Sequence, residues 1–300
     1  MRSRCPNSLR ELAVALMVLG GCSSADVVVE APAEPVSSPD RVLTGPQGAV
    51  GQFVVECGFD RFLADDPIVV PGRPGASHLH QFFGAVGVSA GSDYGDLVAG
   101  PTTCEQRSDT ASYWTPTLLV DGQPVEPVRS VAYYRAGPEV DPSTVVAYPP
   151  GLMMVAGDHT AIDPQPTSVV AWTCGSGGTR SPEPPQCSAD ASLRGSSLRM
   201  LVTFPDCWNG VDLRSPIVPE PSLHVAYSLG GRCPAEHPVP IPQLQFAVDW
   251  RAPEADAELA LSSGDIHSGH ADFWNGWHQD KLDREVEVCI GRDLACNVSG

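Results

Sequence analysis

The stretch Ser77-His78-Leu79-His80-Gln81-Phe82-Phe83-Gly84 sets two histidines one residue apart, follows them with two aromatics and stops on glycine. Read as a strand, it points His78 and His80 to one side and Leu79 to the other, because residues i and i+2 share a face of a sheet. The same grammar, a short run closed by a turn residue, recurs along the chain. Candidate strands are Gln52–Cys57, His78–Phe83, Thr117–Val120, Val131–Arg135, Val169–Thr173, Ser197–Phe204, His224–Ser228, Gln245–Trp250 and Glu285–Ile290. Several alternate with period two, as strands with one wet face do. Helical periodicity is scarce. Proline and glycine number 30 and 29, and many short strands joined by such turns predict a mostly β fold. We expect an antiparallel sandwich or distorted barrel with long disulfide-pinned loops and one or two short helices. The best helix candidate is Phe273–Leu282, with a single turn around Pro138–Ser143.

Working outward, the N-terminus carries Arg2, Arg4 and Arg10 and then an apolar run from Leu12 to Leu19. That run is short of the roughly 20 residues a bilayer span requires and fits the core of a secretory signal. It ends in Leu19-Gly20-Gly21-Cys22, a pattern resembling the bacterial lipobox, in which the cysteine is lipidated and becomes the new N-terminus. An acyl chain tethers a protein by burying CH₂ groups at about 0.8 kcal/mol each. Residues 22–48 are rich in Pro, Ala, Ser and Glu and read as a solvated spacer. The expected organisation is a signal peptide at 1–21, lipidated Cys22 with a disordered tether to 48, and one β-rich domain over 49–300. This places the protein outside the cytoplasm as a membrane-anchored lipoprotein of a bacterial cell envelope.

The formal charge is −18. Loss of residues 1–21 removes three arginines and Glu11, making the mature chain more acidic still. Such a balance argues against nucleic acid, which needs a basic face, and leaves the acyl anchor as the only membrane contact. No glycine-rich phosphate loop is present, so nucleotide chemistry is not indicated. Beyond Cys5 and Cys22, eight cysteines remain. An even number in an exported domain predicts disulfides, and nearest neighbours give Cys57–Cys104, Cys174–Cys187, Cys207–Cys233 and Cys289–Cys296. No CxxC pair occurs that would favour a thiolate metal site.

Several blocks then carry a resemblance: "SHLHQFFG" at 77–84, "YWTPTL" at 113–118, "YYR" at 133–135, "GLMMVAG" at 151–157, "FPDCWNG" at 204–210, "HVAYS" at 224–228, "CPAEHPVPIPQL" at 233–244, and "LSSG" with "HADFWNGW" within 261–277. With these the chain resembles an exported bacterial and fungal family catalogued as domain of unknown function nineteen-ninety-six. Ala85 stands where that pattern expects asparagine, and Leu223-His224 where it expects Ser-His. The resemblance implies a secreted domain and supplies no activity, so function must be argued from the site.

Imidazoles at i and i+2 of a strand can share one metal ion. His78, His80, His224 and His270 are the candidate ligands, with Asp272 beside them, and zinc accepts such an N/O set. The cofactor is otherwise unknown. A copper brace built on an N-terminal histidine does not fit a chain that begins at an acylated cysteine. Without a metal, the same residues suggest action on an extracellular glycan. Candidate catalytic residues are His78, His80, His270, Asp272 and Asp206. A glycosidase needs two carboxyl groups flanking the scissile bond, and Asp206 and Asp272 each sit beside aromatics. A polysaccharide lyase needs a histidine or tyrosine base and a cation, for which Arg135 is the candidate. Trp274, Trp277, Tyr134, Arg135 and Phe82 are the expected substrate contacts, with one of the two tryptophans exposed if its segment is helical. No GxSxG occurs, so Ser262 and Ser263 do not form a nucleophile elbow. The expected partner is an extracellular glycan or another cell-envelope component. The competing class is a non-enzymatic metal-binding or cell-envelope interaction protein.

Overall fold

The computed structural model describes residues 51–188, 190, 196–215 and 223–297, together with a strand pair at Thr44–Gly45 and Gly48–Ala49. The signal segment, Cys22 and most of the tether lie outside the described residues. Among the described residues no helix is long and apolar enough to cross a membrane.

Eleven strands build two open sheets. In chain order they are β1 (Gln52–Cys57), β2 (Phe59–Leu63), β3 (His80–Gly84), β4 (Ser112–Pro116), β5 (Arg129–Arg135), β6 (Met153–Gly157), β7 (Val170–Cys174), β8 (Ser197–Thr203), β9 (Gln243–Arg251), β10 (His270–Trp274) and β11 (Ala295–Asn297). The five-stranded sheet runs β6-β10-β4-β3-β2 and the six-stranded sheet β7-β8-β9-β5-β1-β11. Every pairing is antiparallel except β11 on β1. The fold is thus mostly β, an antiparallel sandwich of open sheets rather than a closed barrel.

The alternation that predicts strands also sets the layers. In β1, Phe53, Val55 and Cys57 are buried while Gln52, Val54 and Glu56 stay partly exposed. Phe83, Tyr113 and Phe273 from one sheet meet Phe53, Tyr134 and Phe246 from the other in a single apolar core. Tyr113 stacks on Phe246 with centroids 5.0 Å apart, and such pairs add to simple area burial. The five-stranded sheet is covered on its other face as well. Phe82, Trp114, Val155 and Trp274 pack there against Ile68, Val88 and Leu97. Burial on both faces explains why β3, β4 and β10 have no exposed residue and show no clean polar alternation.

Several expectations are corrected at this point. Phe273–Leu282 is not a helix: β10 runs through Trp274, and a short helix begins at Gln279 and ends at Glu285. Gly276 separates them, passing so close to the backbone that an added Cβ would lie 2.4 Å from the Thr110 carbonyl oxygen. Glu285–Ile290 is not a strand. The helix continues as a wide turn over Val286–Ile290 and buries Val286, Cys289 and Ile290, a helical spacing that overrides the apparent alternation. The turn expected at Pro138–Ser143 falls at Pro142–Thr144, capped by Asp141. A helix at Tyr94–Ala99, closed by a capping box between Asp93 and Asp96, was not expected at all. Four disulfides join Cys57–Cys104, Cys174–Cys187, Cys207–Cys233 and Cys289–Cys296.

Candidate metal centre

His80 and His270 lie on strands flanking β4, both directed to the face away from the sandwich core. His80 is level with Pro116 of β4, and the β10–β4 register, with Asp272 opposite Trp114, carries His270 toward that same level. His78 immediately precedes β3. The strand expected from His78 thus starts at His80; the i, i+2 geometry of β10 puts His270 and Asp272 on one face beside His80, and the extended segment before β3 adds His78. One ring nitrogen from each of His78, His80 and His270 lies within 4.8 Å of the other two.

Hydrogen bonds to the backbone fix which nitrogen two of the rings offer. His80 Nδ1 lies 2.8 Å from the Asp65 carbonyl oxygen, and His270 Nδ1 lies 2.9 Å from that of Ser268. A carbonyl only accepts, so both Nδ1 atoms carry the proton and both Nε2 atoms keep a lone pair. His80 Nε2 is buried without a hydrogen-bond partner. This is how metal-ligating histidines are held, with the distal N–H oriented by a backbone or carboxylate oxygen. His78 Nε2 stands 3.2 Å from His270 Nε2 and, since that nitrogen keeps its lone pair, donates to it; to ligate through Nε2, His78 would carry its proton on Nδ1 instead. Two nitrogens bound at about 2.0–2.1 Å to one tetrahedral zinc would be about 3.3 Å apart, so the pair is already at ligand spacing.

Electrostatics favours the ligating form. Burial lowers the His78 imidazole to about 4, helped by His159. Burial lowers His270 to about 3, helped by His78, and holds His80 well below its ordinary value, with His78 and His270 adding to the effect. All three are neutral at neutral pH, the state in which imidazole binds metal.

The centre opens into a pocket of about 750 Å³ lined by His78, His270, Asp272, Asp66, His159 and Leu223, among others. Asp272 is 1% exposed, and neither carboxyl oxygen has a hydrogen-bond partner. Burial raises its pKa well above the carboxylate range, and Asp66 adds to the rise. Asp66 differs in being used: its Oδ1 accepts from the Ile68 and Val69 amides at 2.9 Å.

Other predicted site residues do not come here. Asp206 accepts from the amide and the hydroxyl of Ser228, both at 2.7 Å, and clamps a turn rather than lining the pocket. His224 donates from Nε2 to the Met153 carbonyl at 2.7 Å and contributes no nitrogen to the cluster, although its neighbour Leu223 reaches the rim. Trp277 and Tyr134 are sealed in the sandwich core, where the indole N–H donates to the phenol oxygen at 3.1 Å. Trp274 and Phe82 are buried in the apolar layer on the site face. Arg135 ends β5 in the other sheet. Among the described residues no tryptophan, tyrosine or phenylalanine lines the pocket, and the expectation of an exposed Trp274 or Trp277 fails with the helix on which it rested.

Sequence reasoning also missed supporting residues. The Asp65 carboxylate accepts from the Gly75 and Ala90 amides and so fixes the loop whose carbonyl orients His80. Ser262 of "LSSG" accepts from the Thr117 amide at 2.9 Å and donates to the Leu79 carbonyl, gripping the backbone between the two histidines. His159 sits on the loop facing His270, with ring centroids 6.0 Å apart.

A family model matches residues 66–277. The chain belongs to the family described as Domain of unknown function (DUF1996). The matched segment contains every residue that lines the pocket; β1, β2 and β11 lie outside it. No curated protein and no solved structure matches the chain.

Proposed function

We propose that this domain is a metalloprotein of the extracytoplasmic space, in which His78, His80 and His270 hold one first-row divalent transition ion at the base of the pocket. The observation that carries this reading is that His80 and His270 commit Nδ1–H to backbone carbonyls and turn lone-pair-bearing Nε2 atoms toward one place, where His78 Nε2 joins them. The lipobox at Cys22 supports delivery to a membrane surface as an acyl-anchored protein, and the four disulfides suit an oxidising compartment. The ion would polarise a ligand entering the pocket or activate its bound water, as open three-histidine sites do. Among the described residues the pocket is lined by Asp66, Asp158 and Asp272 and by no lysine or arginine, which favours a neutral or cationic ligand over a uronate. Elemental analysis of the domain, purified from an oxidising compartment without a metal-binding tag, tests this. About one ion per chain in the wild type and none in His80→Ala is expected; no metal in either would refute it.

A second reading has one observation in its favour. Asp66 and Asp272 line the same pocket and are electrostatically coupled, and glycoside hydrolysis needs two carboxyl groups. A neutral extracellular glycan would then be the substrate. Depolymerising activity that survives exhaustive metal removal and is lost in Asp66→Asn would favour it.

A further inference from the structure

We infer that Asp272 is the fourth protein ligand of this ion, making the centre three imidazoles and one carboxylate with a fifth position left to the pocket. The inference rests on the three-histidine reading and goes beyond it by assigning the charge and donor set of the site. Asp272 follows His270 by two residues on β10 and so shares its face. Its Oδ2 lies 4.0 Å from His270 Nε2. Adjacent donor atoms around one small ion lie about 2.8–3.6 Å apart for bonds of about 2.0–2.2 Å in shells of four to six ligands, so a small side-chain rotation brings the oxygen into the shell.

The stronger argument is what Asp272 lacks. A carboxyl that is 1% exposed, with neither oxygen partnered, bears the full cost of desolvation. Buried acids are normally paired, hydrogen-bonded or bound to metal. The indole N–H groups of Trp114, opposite Asp272 on β4, and of Trp274 do not donate to it: both are themselves unpartnered. A cation at the three Nε2 atoms satisfies His80 Nε2 and Asp272 together. Three neutral imidazoles and one carboxylate would leave a divalent ion with one net positive charge. That donor set suits zinc, iron or manganese and not a thiolate-seeking ion.

Cobalt(II) is the probe, added to metal-stripped protein and followed by its visible absorption. Asp272→Asn keeps the side-chain volume and removes the charge. The variant should bind cobalt at least about ten-fold more weakly and show a shifted or altered-intensity band. The metal-free variant should melt no lower than the metal-free wild type, because an orphaned acid has been removed. An Asn variant with wild-type affinity and spectrum would overturn the assignment and leave the three-histidine centre standing. A lower metal-free melting temperature with an unchanged cobalt spectrum would also overturn it, marking Asp272 as structural. Wild-type protein that takes up no cobalt would overturn both.

Discussion

Asp109 shows what one buried group does to this fold. Its carboxylate sits in the sandwich core, accepting from the Tyr113 hydroxyl at 2.8 Å and the Ala111 amide at 3.1 Å. Tyr113 also meets the Tyr134 hydroxyl, which accepts from Trp277. Burial raises Asp109 to about 7, against the lowering effect of Tyr113 and Ala111. The folded state therefore holds this proton more tightly than the unfolded chain does. Its stabilising contribution is complete below about pH 4 and is lost as pH rises towards 7. Asp109→Asn should cancel that loss: the melting temperature of the variant relative to wild type should climb between pH 4 and pH 7, and a flat difference would contradict the assignment. The network also explains why Tyr134 and Trp277 misled the reading of residues. An aromatic on a strand gives no sign of which face it takes, whereas His78 and His80 do, because i, i+2 spacing fixes their common direction. Asp206 was illegible for another reason: its partner Ser228 is 22 residues away.

At the scale of elements, the site depends on how closely β6 approaches β10. Gly157 pairs with His270 and has φ +88°, and a Cβ there would lie 2.5 Å from the Gly269 carbonyl oxygen and 2.8 Å from His270 Cα. Gly157→Ala should cost roughly 1–3 kcal/mol for the left-handed backbone alone, with the clash added. It should also weaken metal binding by displacing His270. Denaturant unfolding and a zinc titration check both effects, and an Ala variant with wild-type affinity would place the ion elsewhere. The strands of the six-stranded sheet were mostly legible, since Gln52–Cys57 and its neighbours alternate. Those of the site sheet were less so. β2, β4, β6 and β10 were not anticipated as strands, and three of them, β4, β6 and β10, are largely buried on both faces and lose the polar alternation that marks a strand. The expected helix over Phe273–Leu282 arose from that lost signal.

For the molecule as a whole, the bridges hold segments that the sheets alone leave long. Cys57–Cys104 closes a span of 47 residues that contains Asp65, Asp66, His78 and His80. Chain-entropy arguments put such a bridge at about 4 kcal/mol. Cys57→Ser with Cys104→Ser should lower denaturant stability by up to that amount and loosen the ion, whereas removing Cys289–Cys296, which spans 7 residues, should leave metal affinity unchanged. A zinc titration of the two double variants checks the contrast. The β class and the neighbour pairing of cysteines were legible because turn residues and cysteine parity act locally. The meeting of His270 with His78 was not, since it bridges 192 residues of chain and depends on the strand order β10-β4-β3. The most direct test of the central claim is a crystal of the domain soaked in zinc, with data collected at the zinc absorption edge. The account predicts one strong anomalous peak about 2.0–2.1 Å from the Nε2 atoms of His78, His80 and His270. A map without a peak there, with His78 still hydrogen-bonded to His270, would contradict it.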